Sequence, residues 1–412
     1  MDYYHSVNGV LADLEPVEPV FCHRPFAARR AAKWFLDHFQ GDVLYAVKSN
    51  PSPVILDALY EAGIRHFDVA SPAELERVAA FKDARFYNMN PVKHPRHIAI
   101  SYFDYGVRDF SVDCMAELDK VLQATGYAKD LNIFVRLAVN NASSMLPLDR
   151  KYGVPLLDSA ELLMAARLNS EKLGVCFHVG SQCMDPEAYR QAITLANQAI
   201  VRAGVLVDTL DVGGGFPSAY PGVQPLDMSQ YTNVIHEAFA DSLASENSRL
   251  ICEPGRALSA ETGSLITQVT LRKDNYLYLT EGAYGALFDA AHLKFRYPVK
   301  MIRPGDNGEQ ARLTGFSFYG PTCDSIDYMP GPFMLPEDIG IGDYVEVGML
   351  GAYGQSLRTS FNGFHQGPEV IVGDEPMLSM YRNEVAEEAA AEAAGQYFAN
   401  DDVVPLQAQL GE

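Results

Sequence analysis

The strongest constraint on the fold is an alternation between about residues 40 and 255, where short β-branched or aromatic runs are each followed by a helical stretch rich in Ala, Leu and Glu. Such alternation is typical of parallel strands covered by helices. About eight repeats over roughly 200 residues favour an α/β fold of the closed (β/α)8, TIM-like type over an open sheet. The predicted strands are 43–47, 66–70, 84–88, 109–112, 132–137, 174–179, 209–213 and 249–253.

After about residue 257 the texture changes to short alternating segments broken by Gly and Pro. This pattern predicts a mainly antiparallel β-barrel or sandwich domain. The expected division is a barrel over 20–256, a β-domain over 257–375 joined by residues 1–19, and an acidic tail over 376–412. In the tail, the run from Glu384 to Glu392 mixes Glu with Ala, which permits either a helix or disorder. The segments predicted as β-domain strands are 265–272, 275–280, 298–302, 310–318, 343–348 and 368–372.

Length and composition set broader limits. A chain of 412 residues with 48% apolar residues can bury a large core and favours two domains. No N-terminal run resembles a signal peptide, and no window approaches the roughly 18–20 apolar residues of a membrane span. We therefore expect a cytoplasmic protein without membrane attachment. The six cysteines form no CxxC pair, so neither a metal site nor a disulfide framework is predicted.

The net charge of −21 argues against a nucleic-acid partner, because a phosphate backbone requires a basic face. The same charge is compatible with a cationic small-molecule substrate, although acidic balance also serves solubility.

Polar residues recur where the predicted barrel strands end. In a barrel the carboxyl ends of the strands form one face, which is the face that carries active sites. The sequence therefore predicts a site on this face built from Lys48, Asp68, Asn88, Arg136, His178, Gly213 to Gly215 and Glu253.

Lys48 ends the apolar run in "YAVKSN". A lysine at a strand end is ordinarily a surface residue whose amine reaches water. At the mouth of a barrel, however, desolvation would lower the pKa of the amine, which could then attack a carbonyl to form an imine.

Two glycine-containing motifs carry further candidates. In "DVGGGFP" the glycines Gly213 to Gly215 could present an anion-binding nest, or they could simply form a tight turn. In "CEPGRAL", Glu253 and Arg256 could form a structural salt bridge. Alternatively, Glu253 could hold a proton on a heteroaromatic nitrogen while Gly255 and Arg256 complete a phosphate cradle.

Two more motifs have both a structural and a chemical interpretation. In "FHVGSQC", His178 is either a satisfied core residue or a ring stacked on an aromatic cofactor, with Ser181 within reach of a phosphate. In "YGPTCDSID", Cys323 is either inert or, because a carboxylate follows it, a proton donor that faces a cationic substrate.

Taken together, these motifs resemble the fold-type III pyridoxal-phosphate decarboxylases, which have an alanine-racemase-like barrel and include ornithine, lysine, arginine and diaminopimelate decarboxylases. The resemblance runs from about residue 20 to 375. It rests on "YAVKSN", "FDVASPAEL", "FHVGSQC", "DVGGGFP", "CEPGR", "GPTCDSID" and "GAYGQSLRTSFNGF".

The resemblance implies that pyridoxal 5'-phosphate is the cofactor and that Lys48 forms the Schiff base with it. It implies that His178 stacks on the pyridine ring, that Glu253 pairs with the ring nitrogen, and that Asp68 and Arg136 support Lys48 and Glu253. The implied phosphate ligands are Ser181, Gly213, Gly214, Gly215, Gly255, Arg256 and Tyr353.

The resemblance also implies a homodimer with shared active sites, in which Cys323 protonates the substrate and enters from the partner subunit. The implied substrate-binding residues are Asp289, Asp324 and Phe361. The Cys-Asp sequence at 323–324 favours decarboxylation of L-ornithine to putrescine in polyamine biosynthesis, whereas diaminopimelate enzymes carry Cys-Glu.

Alternatives remain open at this stage. They are a lysine/ornithine enzyme, a diaminopimelate decarboxylase and a non-catalytic regulatory homologue. The segment from Tyr284 to Asp289 is shorter than in eukaryotic ornithine enzymes, and Glu281 stands where an aspartate is usual. The choice between ornithine and lysine therefore stays open.

Overall fold

A computed structural model describes residues 1–140, 142–147, 151–293, 295–303, 311–364 and 367–381. In chain order its strands are β1 Tyr3–Tyr4, β2 Val20–His23, β3 Asp42–Ala46, β4 His66–Asp68, β5 Arg85–Asn88, β6 Asp109–Val112, β7 Asn132–Arg136, β8 Ser144–Leu146, β9 Lys172–Cys176, β10 Ser181–Cys183, β11 Thr209–Asp211, β12 Arg249–Cys252, β13 Gly263–Lys273, β14 Tyr276–Leu279, β15 Val299–Ile302, β16 Leu313–Tyr319, β17 Tyr328–Pro336, β18 Tyr344–Val347 and β19 Glu369–Val372.

Two sequence features explain the helices: several begin at a proline, and apolar residues recur along one face of the longer helices. Helices α2 to α5 below each begin at a proline, whose missing N–H costs nothing in the first turn. The α-helices are α1 Val7–Leu14, α2 Pro25–His38, α3 Pro53–Glu61, α4 Pro72–Val78, α5 Pro95–Ala99, α6 Met115–Ala124, α7 Ser159–Asn169, α8 Glu187–Ala203, α9 Met228–Ala240, α10 Arg256–Ser259 and α11 Phe288–His292.

Eight parallel strands close into a barrel in the order β11-β12-β3-β4-β5-β6-β7-β9. All eight predicted strands are present, so the predicted (β/α)8 class is confirmed. The barrel core is buried on both faces of the strands: the large cluster lies between strands and helices, while Leu44, Tyr87, Phe134, Cys176 and Ile251 form part of a separate small cluster. Burial on both faces explains why the strands are apolar throughout.

The second domain is a nine-stranded sheet in the order β1-β19-β2-β13-β14-β16-β17, with β18 beside β13 and β15 beside β18. Most neighbouring pairs are antiparallel, as predicted, but β14 pairs with β16, β19 with β2, and β1 with β19 in parallel. Strand β17 was not predicted from the sequence. Its segment contains Pro330, Pro332 and Pro336, which read as a loop but are tolerated at the end of a sheet, where β17 lies.

The N-terminal strands belong to this second sheet. Strand β1 pairs with β19, and β2 pairs with both β19 and the start of β13. The sequence division places Val20–His23 at the start of the barrel domain, whereas the structure hydrogen-bonds this strand to the sheet. Gly263 allows this close pairing, because a Cβ there would lie 2.7 Å from the Phe21 ring. The chain enters the barrel through α2.

The C-terminal segment 376–381 packs against the barrel. Tyr381 is 4% exposed, and its hydroxyl donates a hydrogen bond of 2.9 Å to the Ala257 carbonyl in α10. The buried Glu261 carboxylate accepts hydrogen bonds from Ser379 Oγ and the Met380 N–H, each of 2.6 Å. The acidic run from Glu384 to Glu392 lies outside the described residues.

Across the described ranges, no helix has both the length and the apolar character needed to cross a membrane. Among the same residues, no group of three or more His, Cys, Asp and Glu side chains is arranged to hold a metal ion. All six cysteines fall within the described chain and are free thiols.

Candidate active site

A cavity of about 990 Å³ opens at the carboxyl ends of the barrel strands. Its wall contains nearly all the residues that the sequence nominates for the cofactor, although they come from distant segments of the chain. Gly213 lies at the strand end behind this wall. The nominated residues that line the cavity are Lys48, Asp68, Arg136, His178, Ser181, Gly214, Gly215, Glu253, Gly255, Arg256 and Tyr353.

Lys48 lies in a single turn, Val47–Ser49, directly after β3, and half of its side-chain surface is exposed to the cavity. Its Nζ is 3.3 Å from Oδ2 of Asp68. The other oxygen of Asp68 accepts a hydrogen bond from the Met89 N–H, which fixes the carboxylate. The negative charge of Asp68 raises the pKa of Lys48 despite partial burial. The expected lowering of this pKa was therefore wrong, because the neighbouring carboxylate outweighs desolvation.

The residues after Lys48 tie this turn to the second domain. Ser49 Oγ lies 2.6 Å from Ser259 Oγ, and Asn50 Nδ2 donates to the Gly351 carbonyl at 2.8 Å. The Ser49 carbonyl accepts from the Tyr353 N–H at 2.8 Å. The small polar residues of "YAVKSN" therefore hold the lysine in register with the loop that carries Tyr353.

Glu253 follows β12 and is 8% exposed. Its N–H donates to the Gly213 carbonyl at 2.8 Å, so the glutamate and the glycine turn are fixed to each other. Burial raises the pKa of Glu253 well above its usual range, and the negative charges of Asp211 and Asp68 raise it further. The carboxyl group therefore has a high affinity for a proton at neutral pH.

His178 follows β9 on the cavity wall. Its Nδ1 accepts a hydrogen bond of 2.9 Å from the Gly180 N–H, which assigns the proton of the neutral ring to Nε2. Burial and the positive charges of Arg136 and Lys48 hold the pKa of His178 well below its usual range. The imidazole is therefore a neutral, oriented ring, as stacking on a planar cofactor would require.

Glycines next to His178 and Glu253 leave room for a ligand in the cavity. Gly213 and Gly215 have φ of +67° and +106°, which side chains rarely adopt. A Cβ at Gly214 would lie 2.7 Å from the Glu253 carbonyl, and one at Gly255 would lie 3.1 Å from Ser49 Cβ. This cradle requires glycine at these positions, because a side chain would fill it. Its backbone N–H groups suit an anion.

The Arg256 guanidinium has its own buried partners. Its Nη1 donates to the Tyr220 hydroxyl at 3.0 Å, and its Nη2 lies 3.5 Å from Oδ2 of Asp289. A structural salt bridge between Glu253 and Arg256, one of the sequence-based alternatives, was therefore wrong. Asp289 is 4% exposed and lies behind Arg256, apart from the residues of the cavity wall.

The remaining nominated residues lie in the second domain. Cys323 and Asp324 line a different cavity, of about 490 Å³. Asp324 Oδ2 accepts a hydrogen bond of 2.5 Å from the Tyr284 hydroxyl, which lowers the pKa of the aspartate. The Tyr284 and Phe361 rings are 4.6 Å apart. We call Tyr284, Cys323, Asp324 and Phe361 the loop cluster; within one chain it is not part of the wall around Lys48.

Asp327 lies in the same motif as Cys323 and Asp324 but was not predicted to have a functional role. It is 1% exposed and accepts hydrogen bonds from the Ala283 N–H at 2.7 Å and from Thr322 Oγ1 at 2.7 Å. Gly282 and Gly320 make room for its carboxylate, since a Cβ at either would lie 2.2 Å from Oδ1. Asp327 therefore shapes the loop that presents Cys323 and Asp324. The available sequence signal was an acidic residue in the same motif as Gly320. Its contact with Gly282 is visible only in the structure.

The residues of the cavity fit pyridoxal phosphate. They supply an amine, a buried carboxyl group, a neutral ring and a glycine cradle in one cavity. A sequence model of the family described as "Pyridoxal-dependent decarboxylase, pyridoxal binding domain" matches residues 27–260, which include the barrel.

Three relatives cover most of the chain. Lysine/ornithine decarboxylase of Selenomonas ruminantium is 34% identical over 344 residues, which are 81% of this chain and 84% of the relative. Antizyme inhibitor 2 of Xenopus laevis is 33% identical over 79% of this chain and 74% of its own. Ornithine decarboxylase of Mus musculus is 30% identical over 82% of this chain and 77% of its own.

Solved structures share the fold. Arginine decarboxylase of Paramecium bursaria Chlorella virus superposes with a TM-score of 0.79 at 27% identity, over 89% of this chain and 99% of that one. The structure of SrLDC in complex with PLP and cadaverine has a TM-score of 0.78 at 29% identity, over 98% and 100% of the two chains. The protein therefore belongs to the fold-type III family of pyridoxal-phosphate decarboxylases, with pyridoxal phosphate as its cofactor.

Proposed function

We propose that this protein decarboxylates L-ornithine to putrescine and CO2 in polyamine biosynthesis, in the cytoplasm. The observation that carries the proposal is that Cys323 is followed directly by Asp324 in one loop. The Asp324 carboxylate accepts a hydrogen bond from the Tyr284 hydroxyl. Because that hydrogen bond lowers the pKa of Asp324, the loop presents a fixed negative charge. A fixed carboxylate suits the distal ammonium of a diamino acid.

The cavity residues have distinct roles in this proposal. Lys48 would be the attachment point of the cofactor, and Asp68 would hold its amine in place while the amine is detached from the cofactor. Glu253 would face the ring nitrogen, and His178 would stack on the ring. The residues that would hold the phosphate are Gly214, Gly215, Gly255, Ser181, Tyr353 and the backbone of Arg256, while Arg136 would support Glu253. Gly213 would shape the glycine turn instead, because its N–H already donates to Asp211. When bound, pyridoxal phosphate supplies an electron sink for the bond that breaks at Cα.

The loop cluster completes the site in this proposal. After CO2 leaves, a proton must reach Cα, and Cys323 is the proposed donor. Within one chain Cys323 lines a different cavity from Lys48. We therefore propose a homodimer in which Cys323, Asp324 and Phe361 of the partner subunit reach the cavity. Without that partner the site would have a cofactor pocket but no proton donor.

A second candidate is a lysine/ornithine enzyme. Asp289, proposed as a second substrate ligand, is paired with Arg256 behind the cavity wall, so its contact with a substrate ammonium would require a change of partner. Without that contact, the pocket has one fewer restraint on chain length. One methylene is typically worth only about 1–3 kcal/mol in such pockets. Activity on lysine as well as ornithine is therefore compatible with this arrangement.

A non-catalytic role is the third possibility, because Antizyme inhibitor 2 is among the relatives. The cavity argues against it. The cavity keeps Lys48, Asp68, His178 and Glu253 close to one another, and the chain also retains Cys323 in its second domain. A non-catalytic protein would have no need to keep an oriented amine beside a buried carboxyl group.

The deciding experiment measures CO2 release by the cofactor-loaded enzyme from ornithine, lysine, arginine and diaminopimelate side by side. We expect the highest kcat/KM for ornithine, with lysine second. Faster turnover of diaminopimelate or arginine would overturn the ornithine proposal. Full cofactor binding with no turnover of any of the four would instead favour the non-catalytic alternative.

A further inference from the structure

A second carboxyl group, Asp211, lies against Glu253. It ends β11, two residues before Gly213, and is completely buried. Its Oδ1 accepts a hydrogen bond of 2.8 Å from the Gly213 N–H. Its Oδ2 is also buried but meets no N–H or hydroxyl donor among the described residues. The side chain of Asp211 also lies within hydrogen-bonding reach of the carboxyl group of Glu253.

Two carboxyl groups can hydrogen-bond to each other only when one of them carries a proton. Two adjacent carboxylates in a buried site repel, so the first proton binds tightly and is shared by the pair. Such sharing satisfies the otherwise unpartnered Oδ2 of Asp211. The pair therefore holds one proton under conditions in which an exposed aspartate and glutamate would hold none.

The surrounding charges decide where that proton resides. Asp68 is a further negative neighbour, Arg136 and Lys48 are positive, and the thiols of Cys176 and Cys252 also face the pair. Burial raises the pKa of Asp211 to about 6, while Arg136 opposes this rise. Burial and Asp211 together raise the pKa of Glu253 well above its usual range. Because the Gly213 N–H donates to Asp211 and stabilises its ionised form, the proton resides mainly on Glu253 at neutral pH, and Asp211 is the anion.

We propose that Asp211 is a positioning residue that acts through Glu253 and keeps a proton available at the ring nitrogen of the cofactor. The inference rests on the proposed contact between Glu253 and that nitrogen. The proton moves from a Glu253 oxygen to the nitrogen, which leaves Glu253 as a carboxylate beside the resulting cation. The negative charge of Asp211 disfavours the loss of this proton. The site would thus keep the ring protonated, as its role of electron sink requires.

The variant Asp211→Asn separates this role from a structural one. Asparagine keeps an oxygen that can accept from the Gly213 N–H, so the glycine turn is preserved. Its amide, however, donates to Glu253 and carries no charge. Both changes favour the ionised form of Glu253 and lower its affinity for a proton. The two variants for comparison are Glu253→Gln and Asp109→Asn, the latter at a buried carboxylate that pairs with Arg85 at the amino end of β6.

The experiment loads each protein with cofactor labelled with ¹⁵N in the ring and follows the nitrogen chemical shift against pH. For Asp211→Asn we expect the protonation midpoint to fall by about one to two pH units relative to wild type. Asp109→Asn should leave the midpoint unchanged. Apparent cofactor affinity should remain within about threefold in Asp211→Asn, since the Gly213 contact is kept.

Three outcomes would overturn the inference. If Glu253→Gln shifts the midpoint but Asp211→Asn does not, Asp211 has no such role while the proposed role of Glu253 stands. If Glu253→Gln also leaves the midpoint unchanged, the contact between Glu253 and the ring nitrogen is itself wrong. Loss of cofactor affinity without a shift would mark Asp211 as purely structural.

A second measurement does not depend on how Asp211→Asn folds. Infrared spectra of the wild-type protein without cofactor should show a protonated carboxylic-acid band at pH 7 that is absent from Glu253→Gln. The absence of this band from the wild-type protein would contradict a proton shared by Asp211 and Glu253.

Discussion

The barrel cavity and the loop cluster differ in how they control their charged groups. In the cavity, Glu253, Asp68 and His178 are enclosed by the barrel, and burial together with neighbouring charges shifts the proton affinities of Glu253 and His178. In the loop cluster, Cys323 is exposed, and the pKa of Asp324 is lowered by a hydrogen bond from Tyr284. The cavity is thus complete within one chain, whereas the loop cluster presents reactive groups outward.

This contrast suggests that the two regions have different functions, with the cavity binding the cofactor and the loop cluster selecting the substrate. The buried region can bind and tune a cofactor without help, because its groups are already desolvated and oriented. The loop cluster can select a substrate only when another part of the protein, which we propose to be the cavity of the partner subunit, encloses it.

Replacing Lys48 by Ala should have the largest effect. Loss of the attachment point should reduce turnover by at least roughly 10³-fold and abolish the yellow absorbance of the loaded enzyme. Lys151→Ala is the matched control, because Lys151 also lines the cavity and contacts the Tyr152 ring. Equal loss of colour in the two variants would contradict a special role for Lys48.

Replacing Cys323 by Ala should reduce turnover by roughly 10²–10⁴-fold, the usual contribution of a general acid. Cofactor affinity and absorbance should not change, because the cavity residues proposed to hold the cofactor are unaltered in this variant. Cys114→Ala, at another exposed thiol, should retain full activity. If Cys323→Ala retained full activity with clean diamine product, the proton-donor role would be excluded.

Mixing the two inactive variants tests whether the regions meet across subunits. In a random mixture of Lys48→Ala and Cys323→Ala chains, half of the dimers are mixed, and each mixed dimer has one intact site out of two. We expect recovery of about a quarter of wild-type activity. No recovery in a mixture shown by mass spectrometry to contain mixed dimers would mean that each chain builds its own site.

Tyr284→Phe should have a modest and selective effect. It removes the hydrogen bond that holds Asp324, so KM for ornithine should rise by roughly two- to tenfold while kcat changes little. The melting temperature should not change, because the contact is solvent-accessible. An equal fall in kcat with unchanged KM would place Tyr284 in the chemical step instead of in substrate binding.

Tyr381→Phe should show the opposite pattern with the smallest effect. It removes a buried hydrogen bond to the Ala257 carbonyl and should lower the free energy of unfolding by about 1 kcal/mol, measured by urea denaturation. KM for ornithine should not change. Tyr127→Phe, at an exposed tyrosine, is the control for loss of a hydroxyl group. A change in KM without loss of stability would contradict this separation.

Much of the cofactor cavity could be predicted from the sequence because strand ends are local features. Each of Lys48, Asp68, His178 and Glu253 directly ends or follows an apolar strand, and parallel strands in a barrel bring such positions to one face. Strand β17 escaped prediction for a local reason too, since its prolines contradict the usual strand pattern.

Other features depended on contacts between distant segments. The raised pKa of Lys48 depends on its 3.3 Å distance to Asp68, and the partner of Arg256 proved to be Asp289. The exposed fraction of Cys323 and its separation from the Lys48 cavity follow from the placement of the second domain. None of these properties has a periodic or compositional signal.

The sequence by itself therefore determined the barrel class, the second β-domain and the polar strand-end residues that line the cavity, because these follow from patterns along one strand or turn. Only the tertiary structure decided which charged groups face one another, including Asp211 and Glu253. Proton affinity depends on burial and on charges a few ångströms away, and the residues that supply both are separated by dozens of positions in the chain.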